Sequence, residues 1–327
     1  MTTQLRTIFP FAHDEKFAQT YLLEGGTTPS FSLKMKIYYT LVRPILPLPF
    51  RHLLQKLVGS AMTINDNFIW EEAIEILKGS LGDPGSLGRG VFKGNLSAAI
   101  VLTHDVEEQE GYKFIPKVIE IERKLGFVSS WNLVPHKYEI NSEILSLIDQ
   151  TGNEIGIHGY NHDGKLYFSK RIFDKRAVYI NQALEKYRAV GFRSPMVHRN
   201  LSWLQSLNIL YDSSCFDYDP LQPQPGGVGV LWPFIAGNFV ELPYTLPQDH
   251  DLFYMLKLKS IDIWKRKVDF ILKNNGMILL NTHPDYLKDG DHLKLYEEML
   301  HYLNEIPAAW RCLPREMASF WKETYGH

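Results

Sequence analysis

Cysteine is scarce in this chain: Cys215 and Cys312 are the only two among 327 residues. Their separation fits no metal-binding pair, so a cysteine metal site is excluded and a reduced, cytoplasmic thiol pair is expected. Neither charge sign is in excess, with 35 Lys plus Arg against 37 Asp plus Glu and a formal charge of -2. That balance lacks the basic footprint of a nucleic-acid partner. No apolar run free of charges reaches the length of a membrane-crossing helix. Met1 to Lys16 lacks the apolar core of a signal peptide, so a cytoplasmic location is expected. No internal repeat is visible. What the chain does have is length enough for a large core, with 45% hydrophobic and 22% charged residues, as in ordinary globular proteins. It is also aromatic, with 17 Tyr, 18 Phe and 7 Trp, which suits a carbohydrate ligand as well as core packing.

Residues 31–60 lack acid altogether. They hold Lys34, Lys36, Arg43, Arg51 and Lys56 among many large apolar residues, and Pro44, Pro47 and Pro49 break any single helix. Two readings stand: a basic, amphipathic peripheral contact with the inner face of a membrane, or a lobe packed on the main domain with its basic residues solvated. Gly and Ser cluster between Lys78 and Gly94, which reads as a loop. The chain therefore divides into a mainly helical N-terminal extension, 1–94, and a main domain, 95–327. Strands are predicted at 97–105, 127–134, 154–158, 190–194, 209–214, 239–244 and 276–282. Helices are predicted at 112–125, 142–150, 169–188, 200–206, 260–274, 292–304 and 314–323. In 112–125, Phe114, Ile115, Val118, Ile119, Ile121 and Leu125 form a stripe opposite Lys117, Glu120, Arg123 and Lys124. Strand alternating with helix predicts an α/β fold on a parallel sheet, open or closed. The Pro/Gly-rich stretch Pro220 to Gly229 is its longest irregular segment, of the kind that lines functional surfaces.

In such folds reactive residues gather at the carboxyl ends of the strands. Asp105 and Glu107 end the first strand, His158 and His162 the third. Arg193, Asp212 and His283 follow later ones. Alternation along a strand points Asp105 and Glu107 the same way, and His104 and Val106 the other. Two carboxylates at one strand end and two histidines at another suggest a metal-hydrolase site. His104 is expected to pack behind the site rather than ligate.

The motifs in order are Thr103-His104-Asp105-Val106-Glu107, His158-Gly159-Tyr160-Asn161-His162, Arg193-Ser194-Pro195, Tyr211-Asp212-Ser213-Ser214 and Leu280-Asn281-Thr282-His283-Pro284. In order and spacing over about residues 96–286 they resemble the NodB-homology polysaccharide deacetylases, carbohydrate esterase family 4. The resemblance implies a deformed (β/α) barrel holding one divalent cation, usually zinc, and removal of an N-acetyl or similar acyl group from an amino sugar. By carry-over Asp105 is the general base, Glu107, His158 and His162 are the ligands, and His283 is the general acid. Arg193 would hold Asp105 ionised, and the backbone N–H of Met196 would help bind the oxyanion. Glu107 departs from the family's aspartate, and its extra methylene moves the carboxylate outward.

Asp212 is open to three readings: orienting His283, orienting Arg193, or forming a turn with Ser213 and Ser214. Tyr160, Met196, His198 and Tyr244 are candidates for substrate binding, although the run His198-Arg199-Asn200 is equally explained by a helix N-cap. Glu241–Tyr244 and Gln248–Asp251 either line a sugar pocket or form surface loop. The partner expected is an amino-sugar glycan or a lipid-linked precursor. A non-sugar amide or cyclic imide is the alternative substrate, and a degenerate member that binds glycan without turnover is the third reading.

Overall fold

The computed structural model describes residues 32–47, 50, 67–75, 90–222 and 227–325. The rest of the acid-free segment, most of the Lys78–Gly94 loop and residues 223–226 lie outside them.

The apolar run that opens the main domain becomes strand β1, Ala98–Val106, buried along its whole length. A strand paired on both edges and covered on both faces has to be apolar almost throughout. Parallel neighbours flank it: β2, Ser129–Leu133, on one edge and β8, Met277–Thr282, on the other. Outward from β2 come β3 (Glu154–His158), β4 (Gly191–Arg193) and β5 (Tyr211–Asp212). Beyond them lie β7 (Phe239–Glu241) and its antiparallel partner β6 (Phe234–Ala236). A short β9, Ala309–Arg311, pairs with the start of β1. The result is one curled nine-stranded mixed sheet, parallel but for the β6–β7 pair.

This is the expected deformed barrel, and its seam is not a strand ladder. Thr245 bridges it: its hydroxyl donates to the Met277 carbonyl (2.8 Å) and accepts from Leu279 N–H (2.9 Å). Nearby, Met277 N–H donates to the Leu231 carbonyl at 2.8 Å.

The crossover helices follow the apolar stripes. Helix α2, Gln109–Lys124, buries Tyr112, Ile115, Val118, Ile119 and Ile121. Asn141 caps the helix Ser142–Gln150, and Ser169 caps the helix Lys170–Lys186, each accepting from a first-turn N–H. His104 points to the outer face, as alternation requires. It stacks on Trp131 at 4.1 Å and bonds to Thr282 Oγ1 (2.8 Å) and Glu122 Oε1 (2.7 Å).

The described N-terminal residues pack against the barrel. Phe68, Ala73 and Ile74 are buried, and the Val91 carbonyl accepts from Tyr325. Helix α1, Leu33–Ile37, runs into a π-helical turn, Tyr38–Val42. Among the described residues no helix is long and apolar enough to cross a membrane.

Candidate metal centre and active-site cleft

The strand ends open into a cleft of about 1490 Å³ lined by Asp105, Glu107, His158, His162, Arg193 and His283, among others. Within it Glu107, His158 and His162 bring ligand atoms within 4.8 Å of one another, a group that could hold a metal ion. Each has a local cause. His158 ends β3, and its Nδ1–H donates to the Arg193 carbonyl at 3.1 Å, leaving Nε2 for a ligand. Burial, only partly offset by Asp105, lowers the His158 pKa to about 4, so the ring is neutral and its lone pair is available.

His162 follows a turn that Gly159 makes possible at φ 67°; a Cβ there would lie 2.4 Å from the Pro195 ring. Both ring nitrogens of His162 are buried without a hydrogen-bond partner, although Nε2 lies 2.9 Å from Glu107 Oε1. An orphaned imidazole beside a carboxylate and a neutral histidine is a donor set suited to a divalent cation. The His162 loop is held from two sides. Arg43 donates to the His162 carbonyl at 3.0 Å, and Arg176 grips Asp163 through two bonds of 2.7 and 2.6 Å.

Asp105 lies beside this group. It accepts from Asn132 (2.9 Å) and Asn281 (2.9 Å), while Arg193 Nε stands 3.5 Å away. Burial disfavours the carboxylate, but His158, Arg193 and His283 outweigh it and lower the pKa, so Asp105 is ionised. The expected Arg193–Asp105 pair is present as a buried ion pair without a hydrogen bond; the hydrogen-bond donors to Asp105 are two asparagine amides. Arg193 instead donates to Thr103 Oγ1 (3.0 Å) and Ser213 Oγ (2.8 Å).

On the other side of the cleft His283 Nδ1 bonds Asp249 Oδ1 at 2.7 Å, and its backbone N–H donates to Asp249 Oδ2 at 2.9 Å. Burial works against the imidazolium, yet Asp249, Glu107 and Asp105 raise the His283 pKa to about 10. The ring therefore carries a proton at neutral pH.

The structure leaves some expected residues outside this cluster. Asp212 contacts neither His283 nor Arg193 by a hydrogen bond. Its partner is Ser214, whose hydroxyl donates at 2.7 Å, and burial beside Glu241 pushes its carboxyl well up. The reason is alternation: Ser213 faces Arg193, so Asp212 faces away. Asp212 thus bonds Ser214 within its own turn, and the carboxylate that reaches His283 is that of Asp249. Tyr160 packs against His136 (4.5 Å) and under Arg176, away from the main cleft. His198 is buried behind Tyr39 (5.5 Å), and Asn200 caps the short helix Leu201–Leu204. Met196 and Tyr244 do line the cleft. Met196 and Val197 both take left-handed backbone, φ 58° and 56°. That conformation is costly for a β-branched residue and is found where a turn is held for function.

Sequence reasoning missed Asn132 and Asn281 as partners of Asp105, and placed Asp249 only in a possible pocket loop rather than on His283. It also missed Tyr38, Tyr39 and Arg43, which line the cleft from outside the barrel.

No family model matches the chain. In sequence it is 21% identical over 272 residues, 69% of this chain and 84% of the relative, to "Peptidoglycan deacetylase" of Helicobacter pylori. In structure it superposes with a TM-score of 0.57 on a protein from Mycobacterium smegmatis assigned as a polysaccharide deacetylase. That match has 17% identity and covers 71% of this chain and 92% of the other. The fold is that of the polysaccharide deacetylases. The resemblance carried by the five motifs therefore holds at the level of the barrel. The same polysaccharide-deacetylase fold is shared with PuuE allantoinase, which matches with a TM-score of 0.57 and 12% identity over 73% of this chain and 95% of that one. Fold alone thus leaves the substrate to be argued from the site.

Proposed function

We propose that this chain is a zinc-dependent hydrolase that removes an N-acetyl or related acyl group from an amino sugar. The observation that carries this reading is the placing of ionised Asp105 and protonated His283 about the Glu107–His158–His162 group in one cleft. A bound divalent cation would polarise the amide carbonyl and acidify a water. Asp105 takes the proton of the attacking water, its ionised form favoured by His158, Arg193 and His283. As the C–N bond breaks, His283 gives its proton to the leaving amine, so that a carboxylic acid and an amine are released. Asp249 keeps the His283 ring in one orientation throughout. The backbone at Met196 offers the N–H expected to receive the developing oxyanion.

The cleft, about 1490 Å³, is large for a small cyclic ureide and suits a sugar with its neighbours. The shared fold of PuuE allantoinase nonetheless supports a second reading, hydrolysis of a cyclic imide or ureide. Acetate release from N-acetylglucosamine oligomers, set against hydrolysis of small imides, separates the two. Purified protein is expected to hold about one equivalent of zinc, lost in the His158→Ala/His162→Ala variant. Asp105→Ala should keep the metal and lose at least 10²-fold in kcat, on the order of a general base's contribution. Undiminished turnover in that variant would remove Asp105 as base.

The substrate we favour is a lipid-linked precursor of a surface polysaccharide, met on the cytoplasmic side of a membrane. Leu33, Leu41 and Ile45 are 74%, 59% and 80% exposed on the segment that also carries Lys34 and Lys36. Apolar side chains beside ammonium groups suit an anionic bilayer surface. Flotation with anionic vesicles is expected to carry the wild type upward and leave a Leu33→Ser/Leu41→Ser/Ile45→Ser variant behind. Equal recovery of both in the soluble fraction would remove the membrane contact.

A further inference from the structure

Helix α2 begins without a cap of its own: Glu108 stands at the N-cap position and makes no side-chain capping bond. The first N–H groups of a helix need acceptors, and here they come from a distant part of the chain. Asp285 Oδ2 accepts from Glu107 N–H (2.8 Å), and Oδ1 accepts from Glu108 N–H (3.2 Å) and Gly111 N–H (3.0 Å). Gly111 is what admits the carboxylate, since a Cβ there would lie 2.4 Å from Asp285 Cγ. Asp285 sits two residues after His283, in the one-turn helix Pro284–Leu287.

Glu107 lies just beyond the last ladder pair of β1, Val106 with Leu133. From there its backbone would be free to move with the loop. Its side chain has one more rotatable bond than an aspartate, so any freedom in the backbone is amplified at the carboxylate. Only a backbone fixed in position brings that carboxylate repeatedly to the same point beside His158 and His162.

We propose that Asp285 is a positioning residue for Glu107: by binding the N–H groups of Glu107 and Glu108 and, in the first turn of α2, that of Gly111, it sets the backbone from which the longer side chain reaches the metal group. The proposal rests on the reading of Glu107, His158 and His162 as ligands. It also ties the ligand to the proton donor, because His283 is the N-cap of the one-turn helix that carries Asp285.

Zinc affinity, measured by titration calorimetry, tests this together with the visible spectrum of the cobalt(II)-substituted protein. Asp285→Ala is expected to bind zinc 10- to 100-fold more weakly, the usual loss when support for a ligand is removed, with an altered cobalt spectrum. Glu107→Gln should show a loss of similar size. The Glu107→Gln/Asp285→Ala double variant should bind no more weakly than Glu107→Gln alone, since Asp285 acts only through Glu107. Gly111→Ala, which displaces the carboxylate, should reproduce the Asp285→Ala spectrum. Should Asp285→Ala fail to fold, Asp285→Asn, with one acceptor oxygen instead of two, is expected to give an intermediate loss. Zinc binding and a cobalt spectrum unchanged in folded Asp285 variants, or losses that add in the double variant, would reduce Asp285 to a helix cap and overturn the proposal alone. Wild-type protein that takes up no zinc would instead overturn the metal reading and the proposal with it.

Discussion

At His283 burial and charge pull in opposite directions, and charge wins. The ring is buried, yet Asp249 at 2.7 Å and the carboxylates of Glu107 and Asp105 hold its pKa at about 10. The raised value means that the proton is kept at neutral pH and lost only as pH climbs toward 10. Removing the Asp249 charge lets it leave earlier. Asp249→Asn is therefore expected to move the alkaline limb of kcat/KM to lower pH and to reduce kcat about 10- to 100-fold; a limb that stays in place would separate His283 from that ionisation. Asp105, His158, His162 and His283 were legible because chemistry-bearing residues ended successive apolar runs in a recognisable order. Asp249 was legible only as part of a possible pocket loop, because its bond to His283 joins that loop to a strand end 34 residues away, and no periodicity encodes such a pair. Asp212 drew a role through its motif, and the two-residue strand that carries it turned its side chain the other way.

At the scale of elements, period-2 alternation and 3.6-residue stripes placed the long strands and helices well. The strand Glu154–His158 and the helix Ser142–Gln150 match their predicted bounds. The strands that escaped notice, β6 and β9, have three residues each, too few for either period to register. The extra helix Pro284–Leu287 is one turn behind a proline, equally below that threshold. Strand β3 opens on a group with consequences for stability. Glu154 is buried, accepts from the Tyr211 hydroxyl and from Arg315 N–H, and burial raises its pKa to about 7. Between the ordinary glutamate value and pH 7 the folded protein binds this proton and the unfolded chain does not. Its contribution is full below about pH 4.5 and is lost as pH rises through 7. Glu154→Gln should remove that loss, flattening the fall of unfolding free energy between pH 5 and 7 by up to about 1.4 kcal/mol per pH unit. Denaturant unfolding of both proteins at several pH values checks this; parallel curves would place the proton elsewhere.

For the molecule as a whole, the barrel closes through a few bonds gathered around Thr245: its hydroxyl and backbone N–H, and the N–H of Leu246, all reach β8. Thr245 donates to one carbonyl of β8 and accepts from the N–H two residues on. Thr245→Val keeps the volume and leaves both of those buried groups unmet, at a cost of roughly 2–4 kcal/mol from two unsatisfied partners. Thermal unfolding measures it, and a variant as stable as wild type would mean that water replaces the hydroxyl. The sequence offered no sign of this arrangement, since a threonine after a strand is unremarkable until its neighbours across the gap are known. Four residues beyond Thr245 lies Asp249, the partner of the proton donor, and across the seam Leu279 leads through Asn281 to His283. A seam held by these few bonds, where the other strands share ladders, makes its two lips the place where the barrel would part first. Its breathing would separate Asp249 from His283 while Glu107, His158 and His162, joined through the β1–β2–β3 ladders, stayed in register. Slow opening at this line would thus silence proton delivery and leave metal binding intact, so that metal content and turnover could diverge in a protein still folded.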